Sequence, residues 1–146
     1  MAESDFDLVR AFFDAYNARD IAAVEEMLDP SAEITTLSAR KGLATRWESR
    51  ATTRRYFDQL DESWSDLRVE LEECRDVGGC VVAIGLIRGT GKASQVEVTE
   101  PFASVCVVRN SRLVRIDTYG DAQAAIEAAS AVPAPERAPA SLERRP

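Results

Sequence analysis

The apolar positions of this chain change their period near residue 67. Before that point they recur every three or four residues, which is the spacing of an amphipathic helix. The pattern predicts three helices and one short strand, over residues 5–18, 21–28, 49–60 and, for the strand, 31–37. Residues 38–48 have no period and predict a loop, with Trp47 folding back onto the core.

From residue 67 onward apolar and polar side chains alternate, as they do in half-buried strands. Residues 80–88 are almost continuously apolar and predict a central strand that is buried on both faces. Residues 96–119 predict two further long strands joined by a hairpin, and residues 122–129 predict a last short helix. Pro101 is expected at a bulge or on an unpaired edge, because proline donates no ladder hydrogen bond.

Helices followed by a meander of four strands indicate an α+β class rather than a βαβ one. A sheet with apolar residues at both parities has to be covered on both faces. Helices can cover one of them, and the other is then a candidate subunit interface. Residues 1–129 are predicted to form one domain, and the tail, residues 130–146, carries four of the six prolines and is predicted to be disordered.

Composition excludes several kinds of function. The formal net charge of −7 argues against a nucleic-acid or anionic-membrane surface, which would need a basic face. No apolar run approaches the roughly 20 residues that span a bilayer. A basic segment, residues 40–55, is interpreted as a solvated helix face and loop.

The chain has no histidine, which removes the commonest general base and the commonest metal ligand. Its three cysteines lack metal-ligand spacing, and no signal peptide is recognisable. We therefore predict a cytoplasmic protein with reduced cysteines, no metal and no cofactor.

Three segments carry a resemblance to a known family, and together they span about residues 5–129. They read LVRAFFDAYNARDIAAVEEMLDPSAEI, SRATTRRYF and RNSRLVRIDTYGDAQAAIEAA. Their order and spacing resemble the SnoaL-like branch of the nuclear transport factor 2-like superfamily, which also holds ketosteroid isomerases and polyketide cyclases. The resemblance implies a cone-like curved antiparallel sheet, a cystatin-like roll, wrapped around the N-terminal helix. It also implies an apolar pocket inside the cone and a homodimer through the sheet.

The catalytic residues of the ketosteroid isomerases do not carry over to this chain. The positions of their tyrosine, their aspartate base and their protonated aspartate fall on Phe12, Thr36 and Ser104. Phenylalanine has no donor, and neither hydroxyl is a carboxylate base. The resemblance therefore implies the family's pocket without the standard isomerase set.

One alternative set of catalytic residues lies on the last predicted strand. Arg115, Asp117 and Tyr119 share a parity, so their side chains leave the same face. If that face borders the pocket, Asp117 is the candidate general base, with Glu100 as the second choice, and Tyr119 is a further catalytic group. Burial raises a carboxylate pKa into the working range for proton abstraction. If Val114 and Ile116 face inward instead, Arg115 and Asp117 form a ladder on an exposed or dimer-facing strand.

Aromatic and polar residues at expected pocket positions are the candidate ligand contacts. These are Phe12, Tyr16, Trp47, Tyr56, Glu100, Phe102, Ser104 and Arg115. Three functions are compatible with this sequence. The favoured one is binding of a small apolar or aromatic molecule without catalysis, and the others are an isomerase, cyclase or hydrolase based on Asp117 and a homodimeric protein-interaction module.

Overall fold

A computed structural model describes residues 3–42 and 47–132 of the chain. The helices are α1 (Glu3–Ala18), α2 (Ile21–Met27), α3 (Leu37–Arg40), α4 (Thr53–Ser63) and α5 (Ala122–Ser130), and a 3₁₀ turn at Arg50–Thr52 precedes α4. The strands are β1 (Leu28–Thr35), β2 (Trp64–Val77), β3 (Cys80–Gly91), β4 (Glu97–Arg109) and β5 (Arg112–Tyr119). The predicted α+β class is confirmed.

The strands form one curved, unclosed sheet in the order β1-β5-β4-β3-β2. The four later strands pair antiparallel as the predicted meander. β1 pairs parallel with β5, an arrangement that the apolar pattern did not predict. Parallel neighbouring strands need a long connection, and here the helices and the strands β2 to β4 between β1 and β5 form that connection.

The helix α1 packs its apolar stripe against the concave face of the sheet. Val9, Phe12, Phe13 and Tyr16 are buried there, as their helical spacing predicts. The Asn17 side chain fastens the end of this helix to β2, because it donates to the Val69 carbonyl and accepts from the Val69 amide, both at 2.8 Å. The main core therefore lies between the helices and the inner face.

The opposite face of the sheet carries a second apolar cluster. Val82, Val105 and Val107 are buried there together with Ala125 and Ala129 of α5. The sequence pattern made this face the candidate subunit interface, whereas the structure packs α5 on it. Among the described residues the exposed large hydrophobic side chain is Val96, at 57%. A homodimer through the sheet stays a prediction.

Local differences from the predicted elements have simple causes. The segment predicted as a loop contains the single-turn helix α3, because the Thr36 hydroxyl accepts from the Ala39 amide at 3.1 Å and caps it. Pro101 lies in an unbroken β3–β4 register, and the β4–β5 ladder begins beyond it at Ala103. The predicted disorder of the tail falls, from residue 133 on, outside the described residues. Across the described ranges no helix is both long and apolar enough to cross a membrane.

Candidate functional site

The helices and the concave face of the sheet border a cavity of about 180 Å³. Side chains from α1, α3, α4 and the strands line it, and most of them are aromatic or aliphatic. Seven of the eight predicted ligand contacts are among them, namely Phe12, Tyr16, Trp47, Tyr56, Glu100, Phe102 and Ser104. The pocket positions that the resemblance implied therefore converge on one cavity.

A stack of three rings forms one wall of this cavity. The Trp47 ring lies between those of Phe12 and Tyr56, at centroid distances of 6.0 and 4.6 Å and interplanar angles of 14° and 16°. The indole Nε1 donates to the Thr53 hydroxyl at 3.0 Å, and that hydroxyl donates to the Arg50 carbonyl at 2.8 Å. Trp47 is 3% exposed, which confirms that it folds back onto the core.

Two hydroxyl pairs supply the inner polar groups of the cavity. The Tyr16 and Tyr56 oxygens lie 2.8 Å apart, and those of Ser104 and Thr118 lie 2.7 Å apart. Each pair has two protons and uses one of them in its own hydrogen bond. Among the described residues no acceptor receives the other proton of either pair. Each pair can therefore donate one hydrogen bond to a guest.

The two phenols stay neutral in the folded protein. Burial raises the pKa of Tyr16, and burial, reinforced by the neighbouring Tyr16, raises the pKa of Tyr56 well above its ordinary value. A phenol of raised pKa is a hydrogen-bond donor and a poor base at neutral pH. The inner part of the cavity is thus neutral.

Among the described residues that line the cavity there is one carboxylate, Glu100, and it lies at the mouth. Both Glu100 oxygens contact the Lys41 ammonium, at 3.0 and 3.1 Å, and the two side chains are 41% and 47% exposed. Glu100, Phe102 and Ser104 share the inner face of β4, as predicted, because the β3–β4 register is unbroken from Glu97 to Cys106.

The predicted catalytic side chains lie on the other face of the sheet. Ile116 and Thr118 line the cavity, so Asp117 and Tyr119, at the alternate parity of β5, leave on the far side. Asp117 pairs in register with Val105 and Tyr119 with Ala103, both of which belong to the second cluster. This corrects the hypothesis that Asp117 and Tyr119 act inside the cavity.

Arg115 is likewise outside the cavity, and its guanidinium lies 3.5 Å from the Glu33 carboxylate of β1. A register shift between Val107 and Val108 turns Val114 toward the second cluster. Of the two apolar residues Val114 and Ile116, only Ile116 therefore faces the cavity.

Sequence reasoning missed three lining residues that matter for the chemistry, Lys41, Trp64 and Thr118. Thr118 shares the parity of Ile116. It would have been predicted as a lining residue if the more apolar side of β5 had been assigned to the cavity. Lys41 lies in a segment without a hydrophobic period, and Trp64 lies at the junction of α4 and β2. The local pattern therefore could not predict which way either side chain points.

The described residues contain no group of three or more side chains that could hold a metal ion. The three cysteines, all in the described part of the chain, lie on strands and form no disulfide there. Burial raises the pKa of the Cys106 thiol far above its ordinary value. Such a thiol packs as an apolar side chain.

Comparison with known proteins agrees with this architecture. A family model described as a SnoaL-like domain matches residues 9–116. Among curated proteins, none matches the sequence. Solved structures resemble the fold, including an NTF2-like protein from Burkholderia thailandensis with a TM-score of 0.70 and 22% identity, covering 90% of this chain and 100% of that one.

Two similar structures were solved with small molecules. TerC, co-crystallised with polyporic acid, has a TM-score of 0.68 and 17% identity, with 86% of this chain and 99% of that one covered. A protein of ketosteroid isomerase-like fold from Catenulispora acidiphila, in complex with trimethylamine, has a TM-score of 0.67 and 15% identity, with 87% and 94% covered. At such identities these likenesses show the fold, while the family model covers most of the chain. The chain belongs to the SnoaL-like family, within the nuclear transport factor 2-like fold.

Proposed function

We propose that this SnoaL-like domain binds a small, neutral, ring-containing molecule in its cavity. The observation that carries the proposal is the combination of an aromatic wall with two neutral hydroxyl pairs, each with a proton to donate. Apolar cavities with a few convergent polar groups are the usual form of a ligand site.

The size of the cavity limits the ligand. An engineered apolar cavity of roughly 150 Å³ holds benzene. A cavity of about 180 Å³ suits a single ring with a short substituent. Flat faces on Phe12, Trp47 and Tyr56 favour an aromatic ring over a branched aliphatic one.

The hydroxyl pairs favour a ligand that accepts hydrogen bonds. Two donors without protein acceptors are best satisfied by a carbonyl or ether oxygen, because an unpaired buried donor costs about 1–3 kcal/mol. No inner carboxylate among the described lining residues compensates a cationic guest. Proteins of similar fold were crystallised with polyporic acid and with trimethylamine, which supports small-molecule binding by a domain of this fold.

The described lining argues for binding rather than for acid–base catalysis. A general base needs to reach the substrate, and Asp117 is on the far face of the sheet. Glu100 does line the cavity, but its carboxylate is partly exposed at the mouth and is paired with the Lys41 ammonium. Three cysteines that form no disulfide with one another are compatible with a reducing compartment, and the cytoplasm is the place of action that goes with this proposal.

The proposal is tested with three matched probes: acetophenone, ethylbenzene and 1-phenylethylamine. They share one ring and differ in carrying a carbonyl acceptor, no polar group or a cation. Ligand-observed NMR titration should give acetophenone an affinity about tenfold above ethylbenzene, which corresponds to one net hydrogen bond. The amine should bind most weakly, because its charge is desolvated without compensation.

Two valine variants provide the controls. Val98 lines the cavity and Val114 packs in the second cluster, and both are half-buried. Val98→Phe should fill the cavity and abolish acetophenone binding, whereas Val114→Phe should retain it. Equal affinities for the three probes, or unchanged binding in Val98→Phe, would contradict the proposal.

A further inference from the structure

A short segment of chain borders the cavity at its mouth, where the partly exposed Lys41–Glu100 ion pair lies. It consists of α3 and the following Lys41, residues 37–41, and is called the strap below. Leu37, Ser38 and Lys41 of the strap line the cavity directly. Whatever enters the cavity from this side has to pass the strap.

Arg40 fastens the strap to the end of β5. Its Nε donates to the Thr118 carbonyl at 2.8 Å, and its guanidinium lies 3.8 Å from the centroid of the Tyr119 ring. Tyr119 thus has a structural partner although it does not reach the cavity. Thr118, whose carbonyl Arg40 holds, also supplies one of the cavity hydroxyls.

Lys41 fastens the strap to β4 on the other side of the mouth. Its ammonium contacts both oxygens of Glu100, so the ion pair spans from the strap to the sheet. Two consecutive basic residues therefore hold the strap to neighbouring strands, β5 through Arg40 and β4 through Lys41.

These anchors suit a segment that opens and closes. The Lys41 and Glu100 side chains are both partly exposed, so salt screens the attraction between them. Arg40 is exposed as well, so water competes for its hydrogen bond to the Thr118 carbonyl. The helix within the strap has one turn, and Leu37 is its buried residue. Contacts that are individually weak allow an open state to be populated without unfolding of the sheet.

We propose that the strap gates entry to the cavity and that Arg40 is the positioning residue that keeps it closed. The proposal rests on the proposed function in one respect, because the gate matters biologically only if a ligand enters. Opening and closing at this mouth, however, can be measured without any ligand.

The first test is quenching of tryptophan fluorescence by acrylamide. Both tryptophans of the chain, Trp47 and Trp64, line the cavity. Arg40→Ala should raise the bimolecular quenching constant at least threefold, because the neutral quencher reaches the rings when the strap is released. Arg109→Ala removes an exposed arginine from the far end of β4 and should leave the constant unchanged.

The salt dependence of quenching provides a second test of the same gate. Sodium chloride at 1 M should raise quenching in the wild type and should have less effect in an Arg40→Ala/Lys41→Met variant, whose anchors are already gone. Circular dichroism should show the same native fold in each variant. Equal quenching in Arg40→Ala and in the wild type would overturn the gate.

Binding kinetics with acetophenone separate the gate from the proposed function. A gate changes the rates of entry and exit together, so Arg40→Ala should raise both rate constants by a similar factor and leave Kd within about twofold. A changed Kd with an unchanged association rate would instead make Arg40 a ligand contact and overturn the gate. If no probe binds while Arg40→Ala still opens the cavity to acrylamide, the proposed function fails and the gate stands.

Discussion

Single residues hold together elements that are far apart in the sequence, and Arg19 is the clearest case. It has a φ of 57°, a left-handed conformation that costs energy for a residue with a side chain. Its guanidinium donates to Asp61 of α4, to the Tyr16 carbonyl of α1 and to the Leu67 carbonyl of β2, at 3.1, 3.0 and 2.9 Å. It also lies over the rings of Tyr16 and Phe57, 5.6 and 5.5 Å from their centroids.

Arg19→Gln should therefore lower the free energy of unfolding by about 2 kcal/mol, because hydrogen bonds to a charged group are the stronger class. Arg19→Gly removes the same contacts and relieves the backbone, so it should be the less damaging of the two. Arg10→Gln changes an exposed arginine and should cost no more than about 0.5 kcal/mol. Urea denaturation measures all three, and equal stabilities of Arg19→Gln and Arg10→Gln would refute this role.

Strand geometry shapes the cavity at the scale of elements, and Gly85 of β3 shows how tight the fit is. A register shift between Leu71 and Glu73 disturbs β2 opposite this glycine. A Cβ at position 85 would meet the Glu70 carbonyl oxygen and the Glu70 carbonyl carbon, both backbone atoms. The close approach of the two strands therefore requires glycine.

Gly85→Ala should destabilise the protein by about 3 kcal/mol or prevent folding, because backbone on both sides has to move. Gly120→Ala is the matched control, since its added Cβ would lie 3.9 Å from Leu37 Cδ1, an ordinary contact. Thermal unfolding of both variants measures the difference in stability between them. A Gly85→Ala protein as stable as Gly120→Ala would mean that the strands separate at little cost.

Neutral groups buried throughout the molecule link its stability to alkaline pH. Tyr16, Tyr56 and Cys106 all have pKa values raised by burial. In the unfolded chain the same groups ionise near their ordinary values, about 8.5 for cysteine and 10 for tyrosine. Above those values the unfolded state holds fewer protons than the folded state.

The free energy of unfolding should consequently be insensitive to these groups below about pH 8 and fall as pH rises through 9 to 11. Tyr56→Phe removes one of the titrating groups, so its stability should fall less steeply over that interval, although it starts lower from the loss of the Tyr16 hydrogen bond. Chemical denaturation at a series of pH values gives the slopes. Parallel slopes for the two proteins would show that Tyr56 does not contribute.

The sequence by itself determined most of the elements and identified seven of the residues that line the cavity. Apolar spacing of 3.6 and then of 2 predicted the helices and the meander, because each pattern depends only on neighbours along the chain. The same reasoning placed Glu100, Phe102 and Ser104 on one face, and they remain together because no bulge interrupts the β3–β4 register.

Only the tertiary structure decided which face of β5 looks into the cavity and what closes its mouth. Two orientations of β5 were compatible with a sheet that is covered on both faces. In one, Val114 and Ile116 face the cavity, and in the other, Arg115, Asp117 and Tyr119 do. The register shift beside Val107 and the packing of α5 settled the choice, and both depend on strands and helices brought together by the fold. Contacts of this kind, like that of Arg40 with Tyr119, join residues too far apart in sequence for a local pattern to record.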